Sequence, residues 1–260
     1  MKKFNFRDLA FQNIEKNFQE NKKTVLLTND MGAMGLEKLK KKYKKRVINC
    51  GICEQHIMSM AGGLASEGYH VFVYGIISHL IFRGLEQLKI DVCIDSHHVT
   101  IVGIGAGLSY GNDGPTHHAV EDIGVLKAIP NIEIYNPVDF YSINESFKLA
   151  KFSKKPSLIR LDKENLYYKN KGVRRFGKGV NYYRNDKSET LVITTGITIK
   201  VGLEVINKIN VDLVDIFKIK SFPAKEVEKL IKINKYKKII IIDENFKNSS
   251  IINDINSILN

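Results

Sequence analysis

From His98 to Pro130 the chain runs HVTIVGIGAGLSYGNDGPTHHAVEDIGVLKAIP. The opening HVTIVGIGAG is a short apolar run rich in β-branched residues and reads as a buried strand. Between Ser109 and Asp122 lie two glycines, one proline, two adjacent histidines and four acids or amides. That segment is too polar for a core strand and too broken for a helix, so it reads as a loop leading into a helix start. EDIGVLKAIP then reads as a helix stopped by Pro130. Strand, polar loop and helix in this order make one step of an α/β sheet.

The alternation continues on both sides. Upstream, TVLLTND (Thr24–Asp30), RVINCG (Arg46–Gly51) and HVFVYGI (His70–Ile76) read as strands. CEQHIMSMAGGLASEGY reads as a helix whose small residues, Ala61 to Ala65, permit close packing, and LIFRGLEQLKIDVCID is helical by its apolar spacing. Downstream, IEIYNPV is a strand, DFYSINESFKLAKF a helix capped by Asp139, and PSLIRLD a strand. The expectation is a mostly parallel sheet with helices on both faces.

Residues 166–188 break this pattern, being glycine-rich, basic and polar, and read as a linker holding one short strand. A second, smaller unit follows: ETLVITTG strand, TIKVGLEVINKI helix, VDLVDIFKI strand, AKEVEKLI helix, YKKIIIIDEN strand and a short final helix. The predicted fold class is therefore α/β, with two parallel-sheet α/β domains. The expected division is 1–168, a linker at 169–188, and 189–260.

The 260 residues are 43% hydrophobic, ample for a packed core. No run of about 18 apolar residues occurs, so no membrane span is expected. The start, MKKFNFRDLAFQNIEKNF, lacks the apolar centre of a signal peptide. Three cysteines suit a reducing compartment, and a cytoplasmic location is expected. Cys50 and Cys53 form a C-x-x-C, but a redox or metal role needs a second pair or a thioredoxin-like setting. The net charge of +12 crowds into Lys38–Arg46 and Asn170–Gly179. No nucleic-acid motif accompanies it, so attraction of anionic small molecules is its better use.

Open α/β sheets bind ligands beyond the carboxyl ends of their strands. Asp30, Glu54, Asp113 and His117 all fall at such ends, and their convergence would make an active site. Glycines at 103, 105, 107, 111 and 114 would let the backbone approach a ligand. A loop that merely satisfies its own backbone is the competing reading.

Three segments, GICEQHIMSMAGGLASEGY, SYGNDGPTHHAVEDIGVLKAIPNIEIYNPVD and PSLIRLDKENL, occur in this order. Together they resemble the pyrimidine-binding domain of the transketolase family, which includes 1-deoxyxylulose 5-phosphate synthase. The unit that follows resembles that family's C-terminal domain, shortened at its end. The resemblance implies thiamine diphosphate as cofactor. In the family a buried glutamate, matched by Glu54, exchanges a proton with the cofactor's pyrimidine N1′ and so helps to generate the carbanion. By the same resemblance His117 would face the reacting sugar, Asp113 would orient its hydroxyls or hold the loop, and Asp30 would lie near the cofactor. Lys163 stands where relatives carry an arginine that grips a substrate phosphate; lysine keeps the charge but loses the bidentate fork. His79 is a further candidate for substrate binding. His118 is expected to be structural, and Arg160 is left open as a core-edge ion pair.

Two departures bear on specificity. Where the family stacks aromatics on the pyrimidine ring, the aligned positions are Ile77, Leu80 and Arg83, with Phe82 nearby. A histidine usual before the D-G-x-T-H element is replaced by GIGAGLSYG. The family's G-D-G segment for the diphosphate and Mg²⁺ has no counterpart, since GNDGP belongs to the other motif. No metal ligand is therefore assigned to this chain. The resemblance implies a split enzyme, α₂β₂, whose N-terminal subunit supplies Mg²⁺ and diphosphate binding. The implied reaction is two-carbon ketol transfer from a ketose or ketose phosphate to an aldehyde. A pyruvate-decarboxylating, 1-deoxyxylulose-phosphate-synthase-like reaction and a non-catalytic subunit are the alternatives.

Overall fold

A computed structural model describes residues 5–163, 173–175, 179–183 and 188–259. Two sheets organise the described residues. The larger holds β1 (Thr24–Thr28), β2 (Val47–Asn49), β3 (His70–Ile76), β4 (Val99–Ile104), β5 (Glu133–Tyr135) and β6 (Ser157–Leu161). Their order is β5-β6-β4-β3-β1-β2, all parallel. The chain then passes through β7 (Val173–Arg175), β8 (Val180–Tyr183), β9 (Thr190–Thr194) and β10 (Asp212–Ile216). It continues into β11 (Lys218–Lys220) and β12 (Lys238–Ile242). The second sheet runs β12-β9-β10-β8-β7, with β9, β10 and β12 parallel and β8 and β7 antiparallel.

The central strands are buried on both faces, as near-continuous apolar runs require. Alternation assigns the two faces: Val71, Val73 and Ile101 enter one core, while Phe72, Tyr74 and Val102 enter the other. The covering helices are α1 (Phe6–Glu20), α2 (Met34–Tyr43), α3 (Glu54–Ser66), α4 (Ile77–Arg83), α5 (Leu85–Gln87), α6 (Asp122–Ala128) and α7 (Phe140–Ser153). On the second unit lie α8 (Ile199–Ile206), α9 (Ala224–Asn234) and α10 (Ile252–Leu259). The small residues of α3 are used as expected: a Cβ on Gly62 would lie 2.2 Å from the Asp91 carbonyl oxygen. Asp139 caps α7, accepting the Ser142 N–H at 2.7 Å while the Ser142 hydroxyl accepts the Asp139 N–H at 3.0 Å. Such a cap is worth about 1 kcal/mol.

The polar start holds α1, an amphipathic helix capped by Asn5 that buries Phe6, Leu9, Ile14 and Phe18. Three expectations are corrected. The helix expected over Leu80–Asp95 breaks at Gly84 and resumes as α5 and a wide π turn at Leu88–Cys93. The linker contributes two strands, β7 and β8, paired with each other and with β10; residues 164–172 lie outside the described residues. VDLVDIFKI is two strands rather than one. Phe217 and Lys218 both donate their N–H to the Gly179 carbonyl, the Asn136 N–H donates to the Phe217 carbonyl at 2.7 Å, and β11 crosses to pair antiparallel with β5. The second unit thus supplies an edge strand to the first sheet. Lys218 reinforces it through Glu133 at 3.1 Å, and Lys220 donates to the Leu126 and Ile129 carbonyls at the end of α6.

Candidate active site

The carboxyl ends of the parallel strands β1, β2, β3, β4 and β6 lie along one edge of the larger sheet, and this edge is the candidate cleft. Glu54 opens α3 after the turn that follows β2 and is only 4% exposed. Asn29, beyond β1, donates to Glu54 Oε1 at 3.0 Å, and Arg83, ending α4, donates to the same oxygen at 3.1 Å. Burial raises the Glu54 carboxyl, but its own N–H, the Arg83 guanidinium and the Asn29 amide together hold it below the usual value. The Asn29 Oδ1 atom is buried without a partner among the described residues, and a Cβ on Gly75 would lie 2.5 Å from it. Beside it, Asp30 is exposed at φ 45° and exchanges two hydrogen bonds with Asn49 at 2.9 and 3.0 Å.

The loop after β4 forms the opposite wall. His117 lies edge-on to His79, ring centroids 4.8 Å apart, and its Nδ1 is 3.0 Å from the Thr116 hydroxyl. The Thr116 carbonyl accepts from the Ser78 hydroxyl at 3.1 Å. Burial first, then the Arg83 and His117 charges, lower the His79 imidazole below its ordinary value. The ring is therefore neutral near pH 7 and suited to packing or hydrogen bonding rather than charge. Tyr110 stands between the remaining candidates, its ring against Gly105, 5.7 Å from His117 and 4.7 Å beneath the Lys163 ammonium. Asp113 is exposed on the following turn and contributes to raising the Tyr110 phenol, after burial. His118 turns away toward the Gly111 carbonyl at 3.4 Å.

The structure thus brings together Glu54, Arg83, His79 and His117, with Lys163 held at their edge through Tyr110. Asp113 and Asp30 lie on the rim. Of the expected ring-facing set, Ile77 and Leu80 are fully buried, with Ile77 packed against Gly103 and Leu80 against Gly75. Arg83 and Phe82 are the exposed members of that segment. Sequence reasoning missed Asn29 and Tyr110. Asn29 directly precedes Asp30 at a strand end, a signal that was available; Tyr110 needed the fold of the loop. Arg160 resolves as a fully buried ion pair, its Nε and Nη2 donating to Asp122 at 2.8 and 3.0 Å.

No cluster of three or more metal-ligating side chains occurs among the described residues. Cys50, Cys53 and Cys93 are free thiols, and no described helix is long and apolar enough to cross a membrane. Part of the basic stretch at Lys38–Arg46 is absorbed locally. Arg46 stacks on Phe18 and Tyr43 and donates to three backbone carbonyls, and Lys42 pairs with Glu15.

A profile of the family "Transketolase, pyrimidine binding domain" matches residues 2–169. One subunit of the apulose-4-phosphate transketolase of Phocaeicola vulgatus is 33% identical over 144 residues, 55% of this chain and 46% of that one. The 1-deoxy-D-xylulose-5-phosphate synthase of Clostridium tetani is 30% identical over 230 residues, 87% of this chain and 37% of that one. The chain therefore spans less than half the length of these relatives. Among solved structures, one described as "Split gene transketolase, inactive beta4 tetramer" superimposes with a TM-score of 0.81 at 22% identity, over 98% of this chain and 84% of that one. Transketolase from Leishmania mexicana superimposes with a TM-score of 0.73 at 18% identity, over 86% and 36%. With the matched profile covering more than half of its residues, the chain belongs to the transketolase family and carries that family's pyrimidine-binding domain.

Proposed function

We propose that this chain is the C-terminal subunit of a split, thiamine-diphosphate-dependent transketolase that moves a two-carbon ketol unit from a ketose or ketose phosphate to an aldehyde. The observation that carries this reading is Glu54, a buried carboxylate kept charged by Asn29 and Arg83 at the mouth of a cleft whose other wall carries two histidines.

The donor set fits an aminopyrimidine ring. Glu54 offers a carboxylate to a ring nitrogen, and the orphaned Asn29 Oδ1 offers an acceptor to an amino group. His79 offers the face or edge of a neutral ring. Bound thiamine diphosphate would supply the carbon nucleophile that attacks the ketose. Glu54 holds and returns a proton at the pyrimidine N1′, with Arg83 and Asn29 fixing its carboxylate. His117 donates a hydrogen bond to the sugar carbonyl or hydroxyl, or moves its proton. Asp113 orients hydroxyls, and Lys163 attracts an anionic terminus as a point charge. Mg²⁺ and the diphosphate are held by a separate N-terminal subunit in an α₂β₂ assembly. Two names support this division: a relative whose name makes it one subunit of a transketolase, and a fold neighbour described as an inactive β tetramer. The relatives named as 1-deoxyxylulose-phosphate synthases support a second reading, in which pyruvate is the donor.

The test is to tag the chain in its native host, identify what co-purifies and assay the material for thiamine diphosphate. A stoichiometric partner bearing G-D-G, with cofactor bound, is expected. A lone chain that stays cofactor-free when thiamine diphosphate and Mg²⁺ are supplied throughout would sink the split-enzyme reading. Ketose phosphates against pyruvate as donors then separate the two reactions.

A further inference from the structure

We infer that Glu244, on the loop after β12 of the second unit, is a positioning residue that fixes the loop carrying Tyr110, Asp113 and His117. This gives the C-terminal unit a role in the cleft; only the loop's duty toward substrate rests on the function proposed above.

The contacts are specific. The Leu108 N–H donates to Glu244 Oε2 at 3.1 Å. Gly107 has no side chain because the carboxylate occupies that space: a Cβ there would lie 2.0 Å from Glu244 atoms, and φ is +58°. Gly107 and Ala119 exchange backbone hydrogen bonds at 3.1 and 2.9 Å, closing the loop two residues after His117. Glu244 therefore holds the first foot of a loop whose two feet are joined. The second foot is tied to the same segment of the second unit: Arg160 Nη2 donates to the Ala119 carbonyl at 2.8 Å and to Asn245 Oδ1 at 3.4 Å. The Phe246 N–H adds a bond to the Val120 carbonyl at 3.2 Å. Three consecutive residues, Glu244, Asn245 and Phe246, thus grip both ends of one loop. The grip is costly to hold, since Glu244 is pushed up by burial and by Asp162 and Asp243, and only the Leu108 N–H and Arg160 pull it back. An acid kept in that setting solely for stability would be better replaced by an apolar side chain.

The test uses the full chain without a partner. Hydrogen exchange of residues 107–119 and the His117 ring chemical shifts by NMR at fixed pH are compared in wild type, Glu244→Ala and Glu244→Gln. Loss of the single hydrogen bond predicts about tenfold faster exchange in the loop of Glu244→Ala. Moved His117 ring signals should accompany it, and Glu244→Gln, which keeps the acceptor, should restore both. Exchange in β9 and β10 should not change. Gly107→Ala, which displaces the carboxylate from the other side, should reproduce the Glu244→Ala behaviour and serves if that variant does not fold. Unmoved His117 ring signals in Glu244→Ala, or faster exchange spread evenly over the second unit, would overturn the inference. Neither readout depends on cofactor or partner, so the inference can fail while the proposed function stands.

Discussion

Glu54 and Asp122 are both buried carboxylates paired with arginine, yet their surroundings give them different work. The Asp122–Arg160 pair is sealed on both sides, at 0% and 0% exposure, whereas Arg83 is half in water while Glu54 is covered. Removing one partner of a sealed pair strands a charge and costs about 3–5 kcal/mol. Arg160→Leu should therefore lower stability by that order in chemical denaturation. Arg83→Met should cost only about 1 kcal/mol, because solvent already screens the guanidinium. Its signature is local: with Arg83 gone, burial dominates and the Glu54 carboxyl rises. In the wild type its lowered value favours the fold above the ordinary glutamate range and is lost as pH falls through the folded value. Carbon-13 titration of the Glu54 carboxyl in Arg83→Met should move upward, and an unmoved titration would contradict the role given to Arg83. At this scale the sequence showed the chemistry but not its partners. The motifs marked Glu54, His117 and Lys163 as candidates. The hydrogen bond of Arg83 to Glu54 was not legible, because the family resemblance pointed Arg83 at the cofactor ring and the contact depends on the turn of α4.

The carboxyl ends of β3 and β4 carry the site, and their amino ends carry a structural liability. His70 and His98 begin or border these strands and stack at 3.7 Å, nearly parallel, with His70 Nε2 3.0 Å from the Thr100 hydroxyl. Burial, then the His98 and Lys151 charges, drive His70 down to about 2. Burial, then Lys154, drive His98 down to about 4. Both folded values lie below the unfolded value near 6.5, so the folded state binds fewer protons and stability falls as pH drops below about 6.5. Each group withdraws at most about 1.4 kcal/mol per pH unit, and less for the partly covered His98. Melting temperature should fall between pH 6.5 and 5 in the wild type, with a flatter slope in His70→Gln; equal slopes would contradict this. Element type was largely readable because strands such as TVLLT and HVFVYGI are unbroken apolar runs between polar ends. What the sequence hid was pairing. Nothing in VDLVDIFKI marks Phe217 as the point where the chain changes sheets, since that choice is made by Gly179 and Asn136, distant in sequence.

At the scale of the molecule, the two units are joined through backbone and side chain. β11 completes the first sheet, Asn136 donates to the Thr195 hydroxyl at 3.1 Å, and the loop after β12 holds the loop after β4. The candidate residues lie along one sheet edge, and Mg²⁺ would need several hard oxygen ligands. Its expected source is the partner subunit proposed above. On the function proposed above, two-carbon transfer belongs to the assembly, and Glu54 is the residue proposed to exchange a proton with the cofactor. The most direct test is Glu54→Gln in the reconstituted complex, followed by steady-state ketol transfer with thiamine diphosphate and Mg²⁺ present. The glutamine keeps the shape and the hydrogen bond but cannot exchange a proton. Activity should fall by about 10²–10⁴-fold while complex formation is retained. Full activity in Glu54→Gln would contradict the assignment.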